Sequence, residues 1–331
     1  MKAPRTPMTA RAGTPAPAEA GAGHWPGTVP AAEAPGRLAV PEGRRRDAER
    51  FQWGSLALLA PAAALLVVLF IIPVVYAFYL GFTNLQLVGI NAVDWHFTGA
   101  ENLRRLAGDH VFSYSVELTL VFIAGSIVGV VVIGLALAML MQVALAPLRI
   151  LAGGIVVVAW MMPAITAGMT WYASTTARGT FGTLMGLANS DFLHSEPMLI
   201  VTLANIWSQT GFAMMVFGAA LRNIPRDILE SAQIENASRL QRFARITLPL
   251  LRPTIVTTVL LITLISLANF GLIYVMTQGG PGNATSILPI YSYQQAFQFN
   301  NLAYGALVGN TLVILCAIFG AIYVRVSMRR A

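Results

Sequence analysis

The sequence predicts an all-α integral membrane protein with six transmembrane helices, and three observations carry that prediction. Of 331 residues, 56% are hydrophobic and 11% charged, with mean hydropathy +0.67, a balance outside that of water-soluble domains. Apolar runs of about twenty residues recur, the length at which a helix rising ~1.5 Å per residue crosses ~30 Å of hydrocarbon. Hydrocarbon offers no partner to backbone N–H and C=O groups, so spanning segments are helices or closed barrels, and the alternation of barrel strands is not seen.

Residues 1–50 are rich in Ala, Pro and Gly and end in the basic run Gly43 to Arg50, which reads as a disordered cytoplasmic tail ahead of a membrane domain at 51–331. Arg44 to Arg46 before an apolar run has the outline of a twin-arginine signal. The run is too long and no small-residue cleavage site follows, so uncleaved insertion is expected.

The first span covers Ser55 to Phe82, with no Asp, Glu, Lys or Arg between Arg50 and Asp94. The second, Leu118 to Met141, and the third, Ile150 to Ser174, are separated by a short loop around Pro147 and Arg149. Gly125 and Gly129 in the second form a Gly-x-x-x-Gly spacing that marks a close helix contact. The fourth runs from Met198 to Leu221, the fifth from Thr254 to Met276 and the sixth from Tyr304 to Val326.

Charge orients the bundle. Of 21 Lys and Arg, all but Arg104, Arg105 and Arg178 fall on one side if the N-terminus is cytoplasmic. The positive-inside rule therefore puts both termini, and the segment between spans four and five, in the cytoplasm. The same rule explains the net charge of +7 without nucleic acid.

Several chemistries drop out. Cys316 is the sole cysteine, so there is no thiol pair or metal spacing. His24, His96, His110 and His194 are scattered, which leaves neither a metal cluster nor a histidine-based triad. No Gly-x-x-x-x-Gly-Lys-Ser/Thr loop occurs, and Lys2 is the only lysine, so any ATP hydrolysis is expected in another subunit. No nucleophile, acid–base pair or metal set converges in the sequence, so a transport subunit is expected and not an enzyme. A secondary transporter needs a coupling-ion site, and no Asp or Glu falls within the spans apart from Glu117 at an edge.

The inner segment 223–252 is the most informative stretch. Asn223 and Pro225 suit a helix start, with Asp227 and Glu230 near its positive end. Leu229, Ala232, Ala237, Leu240 and Ala244 recur at helical spacing as an apolar face, opposite Arg239, Arg242 and Arg245. Pro249 and Pro253 are expected to break the helix before the fifth span. Periodicity alone leaves two readings, a helix pair facing a partner or an amphipathic loop on lipid headgroups.

The order Glu230-Ser231-Ala232, Asn236-Ala237, Phe243, Ile246 and Leu248-Pro249 resembles the EAA loop of binding-protein-dependent ABC importer permeases. Thr277-Gln-Gly279-Gly280-Pro281, followed by Asn283, Thr285, Tyr291, Tyr293, Ala296 and Phe297, is similar to the Gly-Gly-Pro segment of the carbohydrate permeases related to those for maltose and glycerol-3-phosphate. The likeness runs from about residue 54 to the C-terminus. Two departures stand out: Ser231 in the middle of Glu-Ala-Ala, and Glu235-Asn236 in place of Asp-Gly. Asn is the non-Gly residue that best tolerates the left-handed turn a glycine would allow there.

The resemblance implies a type I ABC importer permease fold in a bacterial inner membrane, working as one half of a pathway. It implies a second permease subunit that is a different chain, two ATPase subunits carrying ATP and Mg, an extracytoplasmic solute-binding protein, and a sugar or polyol as solute. It places ATPase coupling at Glu230, Ser231, Ala232, Asn236, Ala237 and Pro249. Polar side chains in spans face bundle interiors. Asn205, Ser208, Gln209 and Phe212 on the fourth span and Ser266 and Asn269 on the fifth therefore either line a path for sugar hydroxyls or serve as interhelical hydrogen-bond partners.

Overall fold

The computed structural model describes residues 53–187 and 189–328, and the tail expected at 1–50 lies outside them. The chain divides into two compact units, 1–61 and 62–331. Of the first, only Trp53 to Pro61 are described, as the opening residues of a helix, and all packing below lies within the second.

Helix α1 (Trp53–Leu66) continues through a π-helical turn, Val67–Ile71, into α2 (Ile72–Leu80), with Pro73 in its first turn. A proline ring clashes with the carbonyl four residues back and offers no N–H. A π turn just ahead shifts the hydrogen-bond ladder by one residue and lets the helix go on. An outer loop containing α3 (Glu101–Ala107) leads to α4 (His110–Val143), a helix of 34 residues and so roughly 50 Å long. Asp109 caps it, Oδ1 accepting from the N–H of Val111 at 2.9 Å and of Phe112 at 3.1 Å.

A tight turn at Ala144 and Leu145 opens α5 (Ala146–Met161). Here the expectation of one straight span from Ile150 to Ser174 needs correction. The chain breaks at Met162 and Pro163 and bends by 107° into α6 (Ala164–Thr175). Proline removes a ladder donor and forces the residue before it out of the helical region, and Met162 adopts an extended ψ of 131°.

Short helices α7 (Thr180–Leu184) and α8 (Phe192–Ser195) cross the outer surface to α9 (Pro197–Arg222). On the inner side lie α10 (Arg226–Ile234) and α11 (Arg239–Arg242), followed by a π turn, Phe243–Thr247, and α12 (Leu248–Leu267). Two more expectations are revised at this point. Pro249 and Pro253 do not interrupt the chain, which is helical without a break from Arg239 to Leu267. The π turn stands just ahead of Pro249, as the earlier one does ahead of Pro73. The fifth span then stops at Leu267 instead of Met276, and α13 (Phe270–Thr277) starts afresh after Asn269, whose ψ of 71° is not helical. The outer loop contains α14 (Leu288–Tyr293) and a π turn, Gln294–Gln298, and α15 (Leu302–Met328) closes the fold.

Among the described residues, five helical runs are long and apolar enough to cross a bilayer, and the bent α5–α6 pair makes the sixth when counted as one span. At the centre α9 packs most extensively on α4, and also on α5 and α12. A Cβ at Gly125 would lie 3.0 Å from Thr202 Cγ2, and one at Gly129 would overlap Ile206, so the Gly-x-x-x-Gly spacing does mark a close contact. One apolar cluster fills the outer half around Phe122, Val201, Ala204 and Leu272. A second fills the inner half around Val130, Ala213, Phe217 and Ile262.

Candidate pathway layer, inner elbow and outer knot

On the inner side the six residues assigned to coupling lie in or next to one elbow. Glu230 and Ser231 are exposed on α10, and Ala232 beside them is buried. Asn236 turns the chain with a left-handed φ of 59°, and the N–H of Ala237 returns to the Ala232 carbonyl at 3.0 Å. A capping box then starts α11: the Gln241 N–H donates to Ser238 Oγ at 3.2 Å and the Ser238 N–H to Gln241 Oε1 at 2.8 Å. Pro249 is exposed at the start of α12. The turn at Asn236 splits the single apolar face read from periodicity, and Leu240 is 75% exposed.

In mid-chain the polar residues converge. Asn205 is fully buried and donates through Nδ2 to Ser126 Oγ at 2.8 Å and to Ser266 Oγ at 3.0 Å. Its Oδ1 accepts from Asn269 Nδ2 at 2.7 Å. One amide thus ties α4, α9, α12 and the break before α13, at the seam between the outer and inner apolar clusters. Such bonds hold helices where hydrocarbon offers no competing partner. Ser208 Oγ donates to the Asn205 carbonyl at 2.9 Å. Gln209 is buried without joining this network, and Phe212 is half-buried with its ring 6.0 Å from that of Trp160. The sequence reading missed Ser126. Its place one residue after Gly125, on the face of the close contact, was the available signal.

On the outer side the Gly-Gly-Pro segment forms a knot. Gly279 has φ +94°, and a Cβ there would meet Gln294 Nε2 at 2.9 Å and Ile290 Cγ2 at 3.0 Å, so both backbone and space demand glycine. A cis bond joins Gly280 to Pro281. Buried Thr285 shares a hydrogen bond with Thr277 Oγ1 at 2.7 Å and donates to the Gly280 carbonyl at 3.1 Å. The knot borders a cavity of about 340 Å³ together with Tyr172 and His194, the latter paired with Asp191 at 2.8 Å. Next to it the rings of Phe270, Tyr274, Tyr293 and Phe297 form a ladder with neighbouring centroids 4.9 to 5.3 Å apart.

A second outer anchor went unnoticed in the sequence. The hydroxyls of Tyr291 and Tyr304 each donate to Asp109 Oδ2 at 2.5 Å, and the Arg105 guanidinium stands 4.0 Å over the Tyr304 ring. Burial pushes the Asp109 carboxyl upward, but the tyrosine and backbone hydrogen bonds outweigh it and hold the group below its ordinary value.

The chain is 29% identical over 281 residues to the sulfoquinovosyl glycerol transport system permease protein SmoG of Agrobacterium fabrum, covering 82% of this chain and 89% of that one. It is 30% identical over 275 residues to the trehalose transport system permease protein SugA of Mycobacterium tuberculosis, covering 81% and 86%. Its fold is similar to a chain of a bacterial ABC transporter involved in alginate import, with TM-score 0.68 and 21% identity over 87% of this chain and 99% of that chain. Residues 117–331 match the family described as the binding-protein-dependent transport system inner membrane component. The chain therefore belongs to that family, as a multi-pass inner-membrane permease and not an ATPase.

Proposed function

We propose that this chain translocates a sugar or polyol as one of two permease subunits of an ATP-driven importer, the other being a different chain. A solute-binding protein delivers the solute to the outer knot. Two ATPase subunits, which bind ATP and Mg, engage the inner elbow. The observation that carries the sugar assignment is the likeness over four-fifths of the chain to permeases named for sulfoquinovosyl glycerol and trehalose. The aromatic ladder and the Gln209 amide, which stands outside the Asn205 network, supply the chemistry a polyol needs, rings for its apolar face and an amide for its hydroxyls.

In this reading Asn205, Ser208, Gln209, Phe212, Ser266 and Asn269 form one layer of the path. Asn205, Ser266 and Asn269 fix its geometry through their mutual hydrogen bonds, and Gln209 and Phe212 present groups to the solute. Gly279, Gly280 and Pro281 shape the outer mouth. On the inner side Glu230 supplies a charged contact to the ATPase, Ser231 and Ala232 give α10 a small-residue face, and Asn236 with Ala237 sets the elbow angle. ATP-driven closure of the ATPase pair would then move the elbow and tip the bundle between inward- and outward-open states.

The test is uptake by the complete complex in vesicles. Glu230→Ala is expected to insert normally and to lower ATP-dependent uptake by at least about tenfold, the scale of deleting one partner of a buried charge contact. Wild-type uptake by that variant would refute the coupling role. Uptake of an amino acid or ion in preference to sugars would refute the sugar assignment, and uptake driven by an ion gradient with this chain alone would refute the importer as a whole.

A further inference from the structure

A cavity of about 430 Å³ opens at the cytoplasmic ends of α4, α5 and α9, away from both the elbow's exposed face and the polar layer. Three exposed arginines line this open cavity, each from a different element: Arg149 in the first turn of α5, Arg222 at the end of α9 and Arg226 at the start of α10. Arg222 donates through Nε to the Gly218 carbonyl at 3.1 Å, which folds its guanidinium back along α9. A Cβ at Gly218 would meet the Arg222 Nη2 only at an ordinary contact distance of 4.0 Å, so the fold-back does not crowd α9. Among the described residues no carboxylate forms an ion pair with any of the three. The remaining wall includes the apolar side chains of Met141 and Met214.

We propose that this cavity is a binding site for the phosphodiester headgroup of an anionic phospholipid of the inner leaflet. The positive-inside rule accounts for arginines in cytoplasmic loops, but not for three of them converging on one cavity, where like charges repel. Guanidinium forks match phosphate oxygens in pairs, and an anion between them turns repulsion into attraction. The cavity has the size of an ordinary small-molecule site, which runs from ~300 to ~1,000 Å³. Its level, at the membrane–cytoplasm boundary, is where basic pockets between spans take lipid headgroups. The methionine wall favours a lipid over free phosphate, because it offers apolar surface to the first part of an acyl chain and nothing to a small inorganic anion.

Native mass spectrometry of the purified full chain, given equal phosphatidylglycerol and phosphatidylcholine, tests the site. The wild type is expected to retain phosphatidylglycerol selectively. Arg149→Gln, Arg222→Gln and Arg226→Gln should each weaken retention about fivefold, the step for one cation at an anionic surface. Arg222→Lys, which keeps the charge, should lose less, and Arg245→Gln, an exposed cytoplasmic arginine outside the cavity, should lose nothing. Retention of both lipids alike, undiminished retention by the triple glutamine variant, or an equal loss in Arg245→Gln would overturn the proposal. So would displacement of the lipid by excess inorganic phosphate, which would assign the site to a soluble anion. Loss of the lipid on adding the ATPase subunits would likewise overturn it, in favour of a protein contact.

Discussion

One carboxylate, Asp109, joins three parts of the outer face: it caps α4 through Oδ1 and receives two tyrosine hydroxyls through Oδ2. Asparagine could keep the cap but would turn an amide N–H₂ toward hydroxyls that need an acceptor. Asp109→Asn should therefore lower the unfolding free energy of the purified chain by about 1–3 kcal/mol, the cost of stranding a buried polar group. The pH dependence follows from the depressed carboxyl. Its contribution is complete above the ordinary aspartate value of about 3.9 and is lost as pH falls through the lower folded value. Asp109→Asn should abolish that acid limb in a denaturation series. The two tyrosines lie 182 and 195 residues from Asp109, and no local pattern announces such a pairing. The left-handed turn at Asn236, by contrast, was legible, because one residue's own backbone preference decides it.

Among elements, the α4–α9 contact leaves little room. A Cβ at Gly134 would lie 2.6 Å from that of Ala213 and 3.3 Å from the Met214 backbone nitrogen. Gly134→Ala should cost about 1–3 kcal/mol by overpacking. Gly154→Ala on α5, where a Cβ meets nothing within 4 Å, should fall within about 1 kcal/mol of wild type. Thermal unfolding of the two purified variants gives the comparison, and equal melting would contradict the packing argument. Helix positions could be read from apolar run length, but helix continuity could not. Pro163 breaks its helix, whereas Pro73 and Pro249 follow π turns that carry the chain past them. The proline is the same residue in each case, so residue type alone does not decide which outcome occurs.

For the molecule as a whole, composition alone announced the membrane, because a continuous apolar exterior requires it: every residue from Leu65 to Val75 is apolar and exposed. The orientation can be checked in a Cys316→Ser background. Val93→Cys in the first outer loop should react with an impermeant maleimide in intact cells, and Ile234→Cys at the elbow only after permeabilisation, both positions being more than four-fifths exposed. The reverse pattern would invert the topology. The candidate site was only partly legible. Asn205, Ser266 and Asn269 stood out as polar residues in apolar spans, yet their use of one another depends on how four helices meet. The unbroken helix from Arg239 to Leu267 has a mechanical consequence. It is one continuous helix with a joint at each end, Asn236 below and Asn269 above, and its only irregularity is the π turn beside Pro249. A displacement applied at the lower joint that is not taken up at this turn reaches the upper one as tilt or twist and loads the hydrogen bond from Asn269 to Asn205.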